Sequence, residues 1–467
     1  MTGLGANVFW RFSFRRAPKP PSAESREADT FFSELDRFQR QAFASLRRNY
    51  PGPENDAFCK LLALKIANAF AADYHFRNRH ALLVSSPVQL QMDPTNSCNL
   101  RCPSCLHSAN ADWASRFDWP KATLSLEEFD KFCRRFGPCA INIALFRDGD
   151  PLLHRRFPEF VKIAKGYNLC TLASTNLSVP FDVDALVASG LDRLVAAIDG
   201  GSAGTYARYR RGGDFALVLE NLRAIVRARK KQSSLKPWLV WEFLAFEHNV
   251  QEIEAARDLA RETGVDQFSV ARPHSVAHDD PAIRVAEDAP AYEVLFTDAR
   301  NWFTAGARRA ATVNAEVIEA VFQETWKRRL SATGKLKEES TARGQTCNWL
   351  YCSLTMDAAR RVTPCCLPPM GPPEPRHLVY ARFNGQKPGE ILNSDDFVRA
   401  RGSCRGGPEP KNGFQGKIPF CIACTEKPQM PMPSDVAAYL TSVDERRALP
   451  PNTHAALSAC PLFVWAP

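Results

Sequence analysis

The chain has 467 residues, enough for two or three domains, and its 45% hydrophobic content is that of an ordinary globular protein. No run approaches the roughly eighteen apolar residues of a spanning helix, and the opening MTGLGANVFWRFSFRRAPKP sets arginines inside its short apolar patch, so a cytoplasmic protein with no membrane contact is expected. A net charge of +9 spread along the chain describes a solvated surface better than a nucleic-acid footprint, and fifteen cysteines without a signal peptide point to metal or cluster ligation ahead of disulfides.

Residues 1–28 read as a basic, proline-containing tail and 29–84 as a helical extension. Phe31, Leu35, Phe38, Ala42 and Leu46 recur at helical spacing, as do Leu62, Ile66 and Phe70 after the Pro51-Gly52-Pro53 break. The two helices are either a cap over a barrel end or a partner-binding hairpin, and Cys59 reads as a small buried residue. An apolar extended run, 88–92, then leads into MDPTNSCNLRCPSCLH, where Cys98, Cys102 and Cys105 stand at C-x3-C-x2-C. Three thiolates on one loop can hold three irons of a four-iron, four-sulfur cluster and leave the fourth iron without a protein ligand. With His107 they could also form a structural zinc set. The strand before the loop and the alternation after it favour the cluster, because a zinc finger needs neither.

Between 85 and 275 strand, loop and helix alternate. Strands are expected at 141–146, 169–174, 193–198, 238–246 and 267–271, after the one ahead of the cysteine loop. Helices are expected at 157–165, 215–228 and 250–263, and Ser125 with Glu128 forms a capping box ahead of Leu126, Phe129, Cys133 and Phe136 on one helical face. Six such units imply right-handed crossovers in a parallel sheet curled into a partial barrel, with the active site at the carboxyl ends of the strands. Cys133, Cys139 and Cys170 read as packing residues.

The cysteine loop just after the first strand, Arg147-Asp148-Gly149-Asp150-Pro151-Leu152-Leu153-His154 after the second, Ser174-Thr175-Asn176 after the third and Ala197-Ile198-Asp199-Gly200 after the fourth resemble the radical S-adenosylmethionine (radical SAM) superfamily. The resemblance implies a [4Fe-4S] cluster on Cys98, Cys102 and Cys105 that binds S-adenosylmethionine and cleaves it reductively to a 5'-deoxyadenosyl radical. It implies further that Gly149, Asp150, Pro151, Asn176 and Arg210 bind or position the cofactor, Gly149 by letting the backbone approach its methionine part and Arg210 by pairing with its carboxylate. Arg210 also reads as a surface arginine in a basic loop, and Asn249, at another matching position, as a helix cap. The departures are Ser104, where an aromatic residue is common, Asp150 for glutamate, and Ala197 where a ribose-binding serine often stands.

Residues 276–344 read as a charged helical linker without strand signals, in which Trp302, Phe303, Val317, Ile318 and Phe322 are available for packing. From 345 to 430, Cys347, an extended 354–357, Cys365-Cys366, Cys404 and Cys421-Ile-Ala-Cys424 resemble a SPASM domain or its shorter twitch form, and 431–467 is a tail. That resemblance implies one auxiliary cluster on Cys347, Cys365, Cys421 and Cys424, with Cys352, Cys366 and Cys404 left over and Arg360 in place of a hairpin glycine. A zinc ribbon is the alternative for these four thiols. The expected fold class is thus α/β: a partial (β/α)6 TIM-like barrel with an N-terminal helical extension and a small cysteine-rich C-terminal domain. The resemblance implies a reductant such as flavodoxin or ferredoxin, and a peptide or small-molecule substrate to be modified, oxidised or epimerised. The competing class is a zinc-bearing binding protein on a degenerate fold of this kind, associated with RNA.

Overall fold

The computed structural model describes residues 50–77, 79–108, 121–273, 283–289, 291–297, 347, 349–365 and 379–403, with 35, 39–40, 42–44, 46–48, 376–377 and 418–419. Short apolar runs bounded by turn residues form six successive strands: β1 (Gln89–Met92), β2 (Asn142–Ala144), β3 (Cys170–Thr175), β4 (Arg193–Ala197), β5 (Trp238–Leu244) and β6 (Gln267–Ala271). Each pairs in parallel with the next. Helix α1 (Asp56–Arg77) precedes the sheet, and α2 (Leu126–Phe136), α3 (Phe157–Gly166), α4 (Val183–Ala188), α5 (Ala203–Tyr209), α6 (Phe215–Lys231) and α7 (Ile253–Thr263) make the crossovers. Helix α2 starts where its cap expects, with the Ser125 hydroxyl accepting from Glu128 N–H at 3.2 Å. It buries Phe129, Phe132, Cys133 and Phe136, and Phe129 meets Phe160 of α3 with ring centroids 4.7 Å apart. One hydrophobic core runs between these helices and the sheet.

The sheet continues beyond the six strands. Strand β7 (Tyr292–Leu295) lies antiparallel to β6. This corrects the expectation of no strand between 276 and 344: four residues whose burial alternates beside charged neighbours give too short a signal to read. On the opposite side β8 (Ser353–Met356) pairs in parallel with β1, in the register Gln91↔Thr355, and β9 (Arg361–Thr363) folds back antiparallel on β8. Strand β10 (Arg376–His377) pairs with β12 (Ile418–Pro419) in a separate ladder, while β11 (Ala381–Arg382) edges the main sheet beside β9. The order β11-β9-β8-β1-β2-β3-β4-β5-β6-β7 is open, so the barrel is partial. Short helices α8 (Trp349–Cys352), α9 (Pro388–Leu392) and α10 (Asp395–Ser403) flank the β8 side.

Helix α1 packs over the amino ends of β1, β2 and β8. Nearly every described side chain from Phe58 to Ala72 is buried, polar Lys65 and Asn68 included, so α1 is covered all round rather than on one stripe. Its cluster takes in Leu35, Ala42, Leu46, Cys59, Val88, Cys139, Ile141 and Cys352, the last four lying at the amino ends of β1, β2 and β8. Lys65 Nζ donates to the carbonyls of Gly137 and Tyr167, each at 2.9 Å, and to that of Ala140, while Asn68 donates to Ser86 and Cys139. The chemistry is thereby left to the carboxyl ends. Phe31, Phe38, Trp302, Phe303, Val317, Ile318, Phe322, Cys366, Cys404, Cys421 and Cys424 lie outside the described residues, as does Cys460. Among the described residues no helix is long and apolar enough to cross a membrane.

Candidate active site

The loop after β1 carries Cys98, Cys102 and Cys105, and the polar residues that end β2, β3 and β4 converge on it. Asp93, which directly follows β1, accepts Asp148 N–H on both carboxylate oxygens at 3.0 and 3.1 Å, joining the first two strand ends. Asp150 N–H donates to Ser97 O at 2.9 Å. Its carboxylate accepts the Thr175 hydroxyl at 2.9 Å and Asn176 N–H at 2.8 Å, joining the second end to the third. From the fourth end, Asp199 pairs with Arg210 Nε at 2.5 Å, and only 14% of the arginine side chain is exposed. Leu100, Tyr209, Phe246 and Ile283 cover Cys102, with Cys98 and Cys105 packed against the same patch.

Burial sets the state of the bare thiols. It pushes Cys98 and Cys102 up to about 11, and Cys105 in the same direction. Each thiol also feels another: Cys98 is raised by Cys102, Cys102 by Cys105, and Cys105 by Cys98. Arg210 pulls all three the other way and hydrogen-bonds to Cys102. Among the described residues no three His, Cys, Asp or Glu side chains meet at the spacing of a single bound ion. The donor set fits a cluster that asks for three soft ligands on one loop and exchanges protons for iron as it binds. His107 is poorly placed as a fourth ligand through Nε2, which faces the Asp148 carbonyl at 2.9 Å and therefore carries the proton.

Residues 92–238 match the family described as the Radical SAM superfamily. This stretch is a radical SAM domain. Similar proteins include a GTP 3',8-cyclase of Alkaliphilus oremlandii, 27% identical over 30% of this chain and 43% of the relative. They also include an AdoMet-dependent heme synthase of Methanosarcina barkeri, 25% identical over 40% of this chain and 51% of the relative. The chain thus spans about half or less of the length of these curated relatives. Among solved structures, Streptococcus suis SuiB bound to its precursor peptide SuiA is 14% identical, with a TM-score of 0.45 over 80% of this chain and 77% of that one.

Within the radical SAM domain, Gly149, Asp150, Pro151, Asn176 and Arg210 lie about the cysteine loop. Over Gly149 a Cβ would drive into the Thr95 carbonyl and stand 2.8 Å from Asn96 Cα and Ser97 O. The glycine therefore admits the stem of the cysteine loop, which a side chain at this position would displace. Pro151 opens a 3-10 turn (Pro151–Leu153) capped by Asp150, whose carboxylate accepts Leu152 N–H at 3.0 Å. Arg210 is buried and faces Cys102, which sets aside its reading as a surface residue. Asn249 makes no side-chain cap; it donates to Asp199 O and Leu244 O at 3.1 and 2.9 Å and accepts Phe246 N–H at 2.7 Å, bracing the ends of β4 and β5. Cys133 and Cys139 are fully buried and Cys170 packs on the α1 cluster, as expected of packing residues. Sequence reasoning missed Asp93 and Asn99. A carboxylate one residue past a buried strand was the available signal for Asp93; Asn99, in a polar loop, gave none.

The two described auxiliary candidates flank the β8–β9 hairpin. Cys365 is buried just after β9, its carbonyl accepting the Thr363 hydroxyl at 3.1 Å, and Cys347 is half-buried ahead of α8. Because β8 lies beside β1, Cys365 shares a neighbourhood with Arg147, whose guanidinium also feels Asp148, Asp93 and Asp357.

Proposed function

We propose that this radical SAM enzyme holds a [4Fe-4S] cluster on Cys98, Cys102 and Cys105, cleaves S-adenosylmethionine reductively, and abstracts hydrogen from a peptide or small-molecule substrate. When bound, the cluster and cofactor supply the electron and the carbon–sulfur bond whose scission gives the 5'-deoxyadenosyl radical. The chain's own residues bind and orient. Three thiols present one face of soft ligands; Arg210, fixed by Asp199, offers a guanidinium beside them; Gly149, Asp150, Pro151 and Asn176 form the adjoining wall. Leu100, Tyr209 and Phe246 keep water from the sulfurs.

The observation that carries this reading is the convergence of three buried, neighbouring thiols with the ends of β1 to β4. We assign an auxiliary cluster to Cys347, Cys365, Cys421 and Cys424. The hairpin that carries Cys365 is supported by its pairing with β1 through β8. Such a centre could take an electron from a substrate radical, and a carrier of the flavodoxin or ferredoxin class would feed the catalytic one. Replacing Cys98, Cys102 and Cys105 together by Ala is expected to abolish 5'-deoxyadenosine formation and to lower bound iron from roughly eight to roughly four per chain. Unchanged 5'-deoxyadenosine from that variant, followed by chromatography under anaerobic conditions, would exclude the mechanism. Zinc and no acid-labile sulfide in the wild type would favour a binding protein instead.

A further inference from the structure

We propose that Asn176 hydrogen-bonds to the Cys98 sulfur and so raises the reduction potential of the catalytic cluster, and that Asp150 is the positioning residue that holds it there. This rests on the proposed cluster and goes beyond it by giving Asn176 a role toward iron as well as a place in the wall beside the cofactor.

The orientation of the amide is decided by its partners. Its Oδ1 accepts Ser178 N–H at 2.7 Å, and a backbone N–H can only donate, so the other arm of the amide must be the NH2 group. That group has two acceptors in front of its two hydrogens: Asn99 Oδ1 at 3.0 Å and Cys98 Sγ at 3.8 Å. Asn99 is fixed by the same logic, since its Nδ2 donates to Ser178 O at 2.7 Å and its oxygen must then face Asn176. Both amides are therefore locked by the backbone of one residue, and a donor faces the sulfur in the only arrangement that satisfies all four contacts. A second donor, Leu100 N–H, lies 3.5 Å from the same sulfur.

Asp150 fixes the backbone that carries Asn176. Its carboxylate takes Asn176 N–H at 2.8 Å and the Thr175 hydroxyl at 2.9 Å, while its own N–H reaches Ser97 O at 2.9 Å, one residue before Cys98. Asp150 and Asn176 are 3% and 5% exposed, so these bonds meet little competition from water. A donor to a ligand sulfur draws electron density from the iron–thiolate bond and favours the more negative, one-electron-reduced state. The potential of the centre then depends on a side chain that is not itself a ligand.

The test is a redox titration of the anaerobically reconstituted holoenzyme with dithionite, followed by electron paramagnetic resonance of the catalytic cluster. N176L is expected to keep its iron and sulfide content and to shift the midpoint to more negative potential; D150N is expected to shift it the same way by less. Resonance Raman spectra in H2O and D2O give a second reading, with an isotope-sensitive Fe–S(Cys) stretch expected in the wild type and a smaller isotope shift in N176L, where Leu100 N–H remains the donor to Cys98. Full iron content in N176L with an unmoved midpoint, or an isotope shift equal in N176L and the wild type, would overturn this inference alone. A wild type that binds no iron and sulfide would overturn the reading beneath it as well.

Discussion

Arg360 occupies the place where a hairpin glycine was expected, and it adopts the conformation that glycine would take, with φ at 63°. The turn between β8 and β9 closes through Arg360 N–H to Asp357 O at 2.9 Å and Asp357 N–H to Arg361 O at 3.0 Å, so the backbone has no room to relax. Left-handed φ costs a residue with a Cβ about 1–2 kcal/mol. Against this, the Arg360 guanidinium pairs with Glu128 at 2.8 Å, but both side chains are about a third or more exposed and such a pair is worth about 0–1 kcal/mol. Backbone strain therefore outweighs the ion pair. R360G is expected to raise stability by up to about 1 kcal/mol, read as a higher thermal midpoint. A midpoint below that of the wild type would mean that the lost ion pair and the freer unfolded backbone of glycine together outweigh the relief of strain. At this scale the cysteine loop stood out by its C-x3-C-x2-C spacing alone, whereas the contacts of Gly149, Arg210 and Asn249 were not legible, because they depend on which strand ends lie side by side.

At the scale of elements, the six core strands stood out because each is a run of apolar residues closed by turn residues, and the parallel order followed from the helices between them. Two placements could not be read. Strand β8 belongs to a cysteine-rich stretch more than two hundred and fifty residues after its partner β1, and no local pattern reports that pairing. Helix α1 shows the reason in a single residue. A lysine in a helix usually reads as solvent-facing, yet Lys65 is fully buried and its ammonium closes three carbonyls at the ends of α2 and α3. Met in its place would fill similar volume and bring no charge to bury, but would leave those carbonyls without this donor, at about 1–3 kcal/mol for each that water cannot reach. K65M is expected to lower unfolding stability by about 2–4 kcal/mol by urea titration while leaving the cysteine loop, at the opposite end of the sheet, able to bind iron. A variant as stable as the wild type would show that α1 rests on apolar burial alone.

At the scale of the whole molecule, two stretches more than three hundred residues apart in sequence meet at one junction. Arg401 of α10 is fully buried and donates to Ala81 O at 2.8 Å, Leu350 O at 3.0 Å and Leu392 O, and Asn393 exchanges two 2.8 Å bonds with the backbone of Leu83. His75, near the end of α1, lies in the same junction. Its Nε2 accepts Val84 N–H at 3.2 Å, so the proton sits on Nδ1, 2.8 Å from His80. Burial first, then His80 and Arg401, lower its pKa to about 3. Below the unfolded value of about 6.5 the unfolded chain takes up a proton that the folded chain refuses, so stability falls as pH drops from 6.5 toward 3 and is unaffected above 6.5. The slope approaches about 1.4 kcal/mol per pH unit, or roughly 2–3 kcal/mol between pH 6.5 and 4.5. Other buried groups titrate over this window, some in the opposite sense, as Asp150 and Asp199 are raised by burial. The contribution of His75 is therefore isolated by the difference between the wild type and H75Q, which keeps an acceptor for Val84 but cannot take a proton there. H75Q should lose less stability than the wild type by that amount on going to pH 4.5. Parallel stability curves for the two proteins would mean that the junction opens to water before His75 is charged, and that the two stretches are joined less firmly than Arg401 implies.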